Sequence, residues 1–530
     1  MRVSKLNEPS VSAWMASVRK HRYFSLDADL RADVCIVGAG ISGLSVGYHL
    51  ARLGKEVVVV DGDPLAAGQT ARTTAHLSNA IDDRYVEIER LHGADGACLA
   101  AESHTAAIDR IESIVKTEAI ECDFQRVDGY LMAGPGQSID ILNKELAAAR
   151  RAGLSEVEML DHWPVAGFDS GPVLRFPRQG QFHPLRYLRG LTRAIERDGG
   201  RVLLGNHVEA IEPGPPAVVT ARNGHTITAD AVVVATNTPI NDRFSIHSKQ
   251  APYLSYVIAA RIEPGRVPKA LYWDTLDPYH YVRLHPVRSW QDRRPAYDLL
   301  IVGGEDHKTA QADDASQRYE RLEHWAREHF AAMGAVEYCW SGQVMETIDG
   351  LAFIGRNPGD AEHIFVVTGD SGMGMTHGTI AGMLISDLIM RRENRWAELY
   401  DPARRTLGAA LEFARENINV AAQYATWVTG SEVATADDVR PGSGAILGRG
   451  LSKLAVYRDL AGHLHEMSAA CPHLGCVVAW NSDAQGWDCP CHGSRFDSLG
   501  HCLTGPANSD LPAVGSPAQG NSLAGKETKS

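Results

Sequence analysis

The 530-residue chain contains no run of about 18 apolar residues, so it offers no membrane-spanning helix. Its first twenty residues, MRVSKLNEPSVSAWMASVRK, lack the apolar stretch of a secretion signal and carry no twin-arginine pair. The expected location is the cytoplasm. Positive charge is scarce: 52 Lys and Arg stand against 65 Asp and Glu, a net charge of −13. That balance excludes a nucleic-acid-binding surface and disfavours docking on anionic lipid. There is no phosphate-binding P-loop, no Ser/His/Asp arrangement, no internal repeat and no long low-complexity segment. Cysteine is also sparse, and it is unevenly spread. Of nine cysteines, Cys35, Cys98, Cys122 and Cys339 are scattered, as buried thiols in a reducing compartment would be. The other five crowd between Cys471 and Cys502, beside histidines, which points to a metal site.

With 44% hydrophobic and 22% charged residues, the chain has ample material for a globular core. Residues 1–30 read as an irregular N-terminal extension. Alternating helical and strand signals run from 31 to about 400, and a connector helix and a polar, Gly/Pro-rich linker occupy 401–430. Residues 431–513 carry short strand-like runs and many turns, the pattern of a small all-β unit. The tail, 514–530, is polar and expected to be disordered. The fold class expected is α/β plus a small all-β domain.

The first motif is DVCIVGAGISGLSVGYHLARLGKEVVVVD. A strand at Val34–Val37 enters Gly38, Gly40 and Gly43, then Ile41 and Ser42 open a helix, and a strand at Glu56–Val60 ends at Asp61. Gly38 permits the tight turn, Gly40 admits a pyrophosphate, and Gly43 lets helix and strand approach. The helix N-terminus faces the phosphates with its positive end. Asp61 stands where a carboxylate accepts from ribose hydroxyls. This is a dinucleotide site; the fingerprint alone does not choose FAD over NAD. Three later features favour FAD. They are the small-residue loop GQTARTTAHLS at 68–78, the strand DAVVVATNT ending in Ala235 and Thr236, and the segment HIFVVTGDSGMGMTHG. In the last, Gly369, Gly372, Met373, Gly374, Met375 and Thr376 form a second turn into a helix, suited to negative charge on a reduced flavin.

Over roughly residues 30–400 the chain resembles the glycine/D-amino-acid oxidase (DAO) family. The family's "DGLP-IG" segment and following Gly-rich turn are met here by Asp349-Gly350-Leu351-Ala352-Phe353-Ile354-Gly355 and Gly369–Thr376. The resemblance implies a Rossmann-like FAD domain with an inserted antiparallel substrate sheet, much of it in 245–305. Thr73, Thr74, Ala75 and His76 resemble a TTxH segment that attaches flavin through histidine in some relatives. The Gly and Trp that flank it there are absent, and His76 alternatively packs beside the flavin.

The second motif is CPHLGCVVAWNSDAQGWDCPCHGSRFD. Cys471-Pro-His473 is followed by 15 residues and then Cys489-Pro-Cys491-His492. Two thiolates can hold one iron and two imidazoles the other. Spacing alone also suits a Cys2His2 zinc site. CPHLGC with CPCHGS resembles the Rieske proteins of cytochrome bc complexes across 431–513, expected as a β-sandwich. The resemblance implies a 2Fe-2S cluster on Cys471, His473, Cys489 and His492, a disulfide between Cys476 and Cys491, and a proline loop at Gly505-Pro506-Ala507. Ser494 matches the family's donor to the cluster sulfur. The family's tyrosine is Phe496 here, which implies a lowered reduction potential.

Asp277, His280 and His285 match the D-x-x-H-x4-H spacing of a mononuclear iron site, but YHYVRLHP reads as a strand, where positions five apart point to opposite faces. The segment reads better as a substrate wall, with Tyr281 and Arg283 on one face and Arg283 free to hold a carboxylate. Tyr253 and Tyr256 are weaker candidates, and His377 adjoins the flavin turn. The resemblances together imply an oxidoreductase. An amine or amino acid would give a hydride to FAD, and electrons would leave singly through the cluster to a one-electron carrier protein or quinone. Inward flow from a ferredoxin-like partner and a non-catalytic redox sensor are the alternatives.

Overall fold

The computed structural model describes residues 10–18, 24–65, 67–241, 246–288, 295–428, 430–449 and 452–514. Most of the expected tail lies outside these residues. Two large sheets build the first part of the chain. The first is centred on Leu30–Val37, flanked by Val57–Asp61 and Thr226–Val234, with Arg201–Leu204 and Ile364–Thr368 outside them, all five parallel. Runs such as Val57–Val60 are buried throughout, as a sheet covered on both faces requires. The helices Ile41–Arg52 and Gly374–Ile389 pack against each other over one face. Each enters directly from a Gly-rich turn at a strand end, so both N-termini open at the same edge of the sheet.

The second sheet has nine strands. Gln250–Ile262, Leu271–Asp274, Tyr281–Arg288 and Pro295–Lys308 form its middle, Val336–Thr347 one edge, and Gln125–Met132 with Val173–Gln181 extend it. It is antiparallel except where Leu271–Asp274 runs parallel to Gln125–Met132. The substrate sheet therefore draws on more of the chain than 245–305.

The N-terminal segment is not wholly irregular. Ser12 caps a short helix, Ala13–Ser17, and its hydroxyl donates to Ala71 O. Trp14 is fully buried and donates to Thr73 O at 2.6 Å. The segment thus clamps the loop before His76.

Two small sheets form the C-terminal unit: Ser443–Arg449, Ser452–Arg458 and Leu464–Ser468 in one, and four short strands between Ala479 and Thr504 in the other. A helix at Ala410–Gln423 connects it to the rest, within the expected connector.

Candidate functional site: a flavin crevice and a cluster pocket

At the parallel sheet's edge lies a cavity of about 380 Å3. Gly38 has φ +111°, and a Cβ there would sit 2.4 Å from Ala235 O, so two strand ends meet with only glycine between them. Of the residues singled out in the sequence, Gly38, Gly40, Ile41, Ser42, Asp61, Thr73, Thr74, His76, Ala235, Thr236, Gly369, Gly372, Met373, Gly374 and Met375 line the cavity. Gly43, Ala75 and Thr376 lie behind its wall. Gly43 packs against Gly38, Ala75 is buried at φ 61°, and Thr376 donates to Met373 O and meets His104. Asp61 accepts from the Ala39 N–H at 2.6 Å and from the Asp63 N–H at 2.9 Å, while burial raises its carboxyl. His207 Nε2 and Asn237 Nδ2 border the cavity, buried without hydrogen-bond partners. Unsatisfied polar atoms in a preformed crevice fit a polar ligand such as FAD.

His76 uses both ring nitrogens. Nε2 lies 3.2 Å from Val282 O, which can only accept, so Nδ1 accepts from the Thr74 hydroxyl at 2.9 Å. Burial, with the nearby Arg283 charge, pulls its pKa down to about 3.

Of the two residues expected together on a substrate wall, one borders the cavity. Tyr281 lines the cavity and shares a 2.5 Å hydrogen bond with Ser255. Arg283 does not line it. Its Nη1 donates to Thr74 O, Ala75 O and Phe182 O at 3.0, 2.7 and 3.0 Å, and its guanidinium lies 5.3 Å from the Trp14 ring centre. The shared strand face is right; the cover over it changes from open cavity at Tyr281 to the folded-back loop at Arg283. Tyr253 and Tyr256 also lie off the cavity: Tyr256 bonds His307 and packs in a core with Tyr319. His377 lines the cavity, but its Nδ1 donates to Asp370 O and its Nε2 accepts from Ala352 N–H, so it holds the flavin turn together. Asp277, His280 and His285 diverge. Asp277 is exposed, His280 pairs with Asp274 at 2.8 Å, and His285 stacks edge-on with Trp14 and His183.

Sequence reasoning missed the acidic side of the cavity, where Asp82, Asp306, Glu346 and Asp370 meet Trp273 and Tyr279. Burial raises Asp82 and Asp306 to about 7 and Asp370 to about 6, and it lifts Glu346 well above the usual range. Asp82, Asp306 and Glu346 come from separate segments with no local motif to betray them, and Asp370 lies between two glycines of the second Gly-rich turn.

In the C-terminal unit, Cys471, Cys489 and His492 are buried together, with His473 half-buried, its ring 5.0 Å from that of His492. Cys476 and Cys491 form a disulfide that ties the two loops, and their sulfurs sit beside that of Cys489. His492 Nδ1 is buried without a hydrogen-bond partner, as a metal-binding nitrogen would be before loading. The Ser494 hydroxyl accepts from the Ala507 N–H at 2.9 Å and lies near enough to the Cys471 thiol to help lower its pKa. Phe496 is buried and offers no donor.

This unit docks with its cluster loops against the first. The His247 ring packs 4.9 Å from His473 and 5.8 Å from His492. Gln343, which lines the flavin cavity, donates through Nε2 to Gly493 O at 3.0 Å. Gly493 has φ +80°, and a Cβ there would strike Pro252 at 2.6 Å and Gln343 at 2.8 Å, so the contact requires glycine. Asp483 accepts from Ser341 and Tyr319, and residues 502–505 with Ala507 and Asn508 line the flavin cavity itself. Tyr424 and Trp427, after the connector helix, donate to Leu474 O and Gly475 O in the first cluster loop.

Comparison with known proteins agrees with both halves. The FAD dependent oxidoreductase (DAO) family model matches residues 33–388, and the Rieske [2Fe-2S] domain model matches 429–515. A Bacillus subtilis (strain 168) chain carrying the name Rieske 2Fe-2S iron-sulfur protein YhfW is 31% identical over 504 residues, covering 94% of this chain and 97% of that one. The gamma-glutamylputrescine oxidoreductase of Escherichia coli (strain K12) is 28% identical over 442 residues, 78% of this chain and 100% of its own. Among solved structures, glycine oxidase from Geobacillus kaustophilus superposes with a TM-score of 0.59 at 19% identity, covering 71% of this chain and 99% of that one. The zinc alternative gives way to the cluster, and no helix among the described residues is long and apolar enough to cross a membrane. The chain belongs to the DAO family of FAD-dependent oxidoreductases and carries a Rieske 2Fe-2S domain at its C-terminal end.

Proposed function

We propose that this chain is an amine dehydrogenase whose electrons leave one at a time through its Rieske domain. The crevice at Gly38–Ser42 and Gly369–Met375 would hold FAD, which would supply a hydride acceptor for the carbon beside the amine nitrogen, and Cys471, His473, Cys489 and His492 would hold a cluster supplying one-electron transfer. The overall balance is one amine and one water giving one carbonyl compound and one ammonia, with two electrons and two protons released. The chain's residues give this reading its support. Gln343 bridges the two sites: its side chain borders the flavin cavity, and its amide meets the carbonyl of the residue after His492. The buried His247 ring packs against the rings of both cluster histidines. His76 acts as an anchor for the loop at 73–77, and the flavin is bound without a covalent bond to it.

The test is steady-state turnover with an amine. A one-electron protein acceptor such as cytochrome c should support faster turnover than oxygen. The cluster-deficient variant His492→Ala should still bleach its flavin with amine but stall with the protein acceptor. Oxygen consumption that accounts for all turnover, unaffected by His492→Ala, contradicts the proposal.

A further inference from the structure

The cavity beyond the flavin turn is lined by carboxyl groups that, among the described residues, form no ion pair with a basic side chain. Asp82, Asp306, Glu346 and Asp370 border it from four separate segments. Asp82 is met by the Tyr279 hydroxyl at 2.7 Å. Glu346, on the edge strand Val336–Thr347, is half-buried and lines the cavity, and among the described residues its side chain has neither a hydrogen bond nor an ion pair. The charged groups that act on it most strongly are carboxyls: Asp83, Asp82, Asp370 and Asp306. Oδ1 of Asp306 is likewise buried with no hydrogen-bond partner. An ionisable side chain held this way, facing a cavity, calls for a cation from outside the chain.

The basic side chains on the cavity wall do not answer this charge. Arg72 donates to Ser10 and to Ser341 O, and Arg222 pairs with Glu209. His76 is kept neutral, and Arg283, behind the wall rather than on it, is bound to three backbone carbonyls. A substrate carboxylate would find no partner here and several like charges. Trp273, Tyr279 and Tyr281 supply the rest of the wall, with ring faces suited to alkyl chains and ammonium groups.

We propose that this cavity takes an aliphatic diamine or polyamine, and that Glu346 and Asp306 receive the cationic nitrogen that is not oxidised. The proposal rests on the reading of the chain as an amine dehydrogenase and narrows its substrate class: a second positive charge is required, and a free carboxylate is rejected.

The test uses the full chain loaded with FAD and cluster, mixed anaerobically with putrescine, butylamine, glycine, sarcosine or D-alanine. Putrescine should bleach the flavin at concentrations about tenfold or more below those needed with butylamine, and the three amino acids should be poorer than either. Glu346→Gln and Asp306→Asn should each reduce the preference for putrescine over butylamine by about tenfold. Flavin content and melting temperature report that these near-isosteric variants fold. An amino acid that outperforms putrescine overturns the proposal, as does a preference unchanged in both variants. If no amine of any class bleaches the flavin, the dehydrogenase reading falls, and calorimetry with putrescine then decides the charge reading alone. Binding that disappears in Glu346→Gln sustains it, and absence of binding ends it.

Discussion

Replacing Arg283 with methionine should loosen the flavin loop and leave substrate selectivity alone. The guanidinium gives three hydrogen bonds from one nitrogen to Thr74 O, Ala75 O and Phe182 O, and it lies over Trp14. Ala75 sits at φ 61°, a conformation that costs alanine energy and persists only if its surroundings impose it. Each bond from a charged donor is worth about 1.5–3 kcal/mol. Removing a buried cation returns several kcal/mol of desolvation. The balance is a net loss of about 2–4 kcal/mol, within the ordinary range for breaking a buried polar network. At roughly 2–4 °C per kcal/mol for units of this size, the flavin-bearing part should melt about 5–15 °C earlier. Scanning calorimetry measures the shift, and release of flavin fluorescence should accompany it. The ratio of KM values for glycine and butylamine should stay as in the parent enzyme. An unchanged melting temperature together with a KM raised only for carboxylate-bearing substrates would refute the reasoning and return Arg283 to the substrate.

Four further outcomes follow from the same geometry. Ser494→Ala removes a hydroxyl from the Cys471 sulfur and should lower the cluster's midpoint potential. One charge-assisted bond of about 1.5–3 kcal/mol corresponds to roughly 65–130 mV for one electron; Phe496→Tyr should raise the potential, and a redox titration followed by EPR reads both. Gln343→Leu should slow cluster reduction by substrate while flavin bleaching keeps its rate, which stopped-flow absorbance can separate. Acid precipitation should release the yellow colour into the supernatant, since His76 has both nitrogens engaged by Thr74 and Val282; colour retained in the pellet contradicts that. Asp82 and Asp306 are raised by burial from 3.8 to about 7, so the native chain holds protons that the unfolded chain has already released. Their contribution to stability is full below about 4 and is lost as pH rises to about 7. Amine-free holoenzyme should therefore lose melting temperature from these groups across that window, and Asp306→Asn should flatten the decline.

The parts of the site written locally were legible in the sequence. The glycines of the first turn and the cysteines and histidines of the cluster loops each act within a few residues of one another, so spacing alone reports their geometry. Tyr281 was legible for a similar reason, because strand alternation places it on the face that meets the cavity. The same alternation misled at Arg283, two residues on, because what covers a strand face is decided by another part of the chain. Here that cover is the loop at 73–77, itself pinned by Ser12 and Trp14 from a segment that reads as irregular. The acidic cavity was illegible altogether. Asp82, Asp306 and Glu346 are unremarkable in sequence, Asp370 sits inside a turn read only for its glycines, and only the assembly of the two large sheets brings the four face to face. Domain docking was equally hidden: Gly493 belongs to the cluster motif, but its role against Pro252 and Gln343 depends on a surface built from strands far earlier in the chain.

The central claim is that substrate electrons cross from the flavin cavity to the cluster within one chain. The most direct measurement is an anaerobic titration of the fully loaded protein with putrescine, without mediator, followed by low-temperature EPR. The account predicts a Rieske-type signal that grows as the flavin bleaches and approaches one spin per chain. A bleached flavin with the cluster still oxidised until dithionite is added would contradict it.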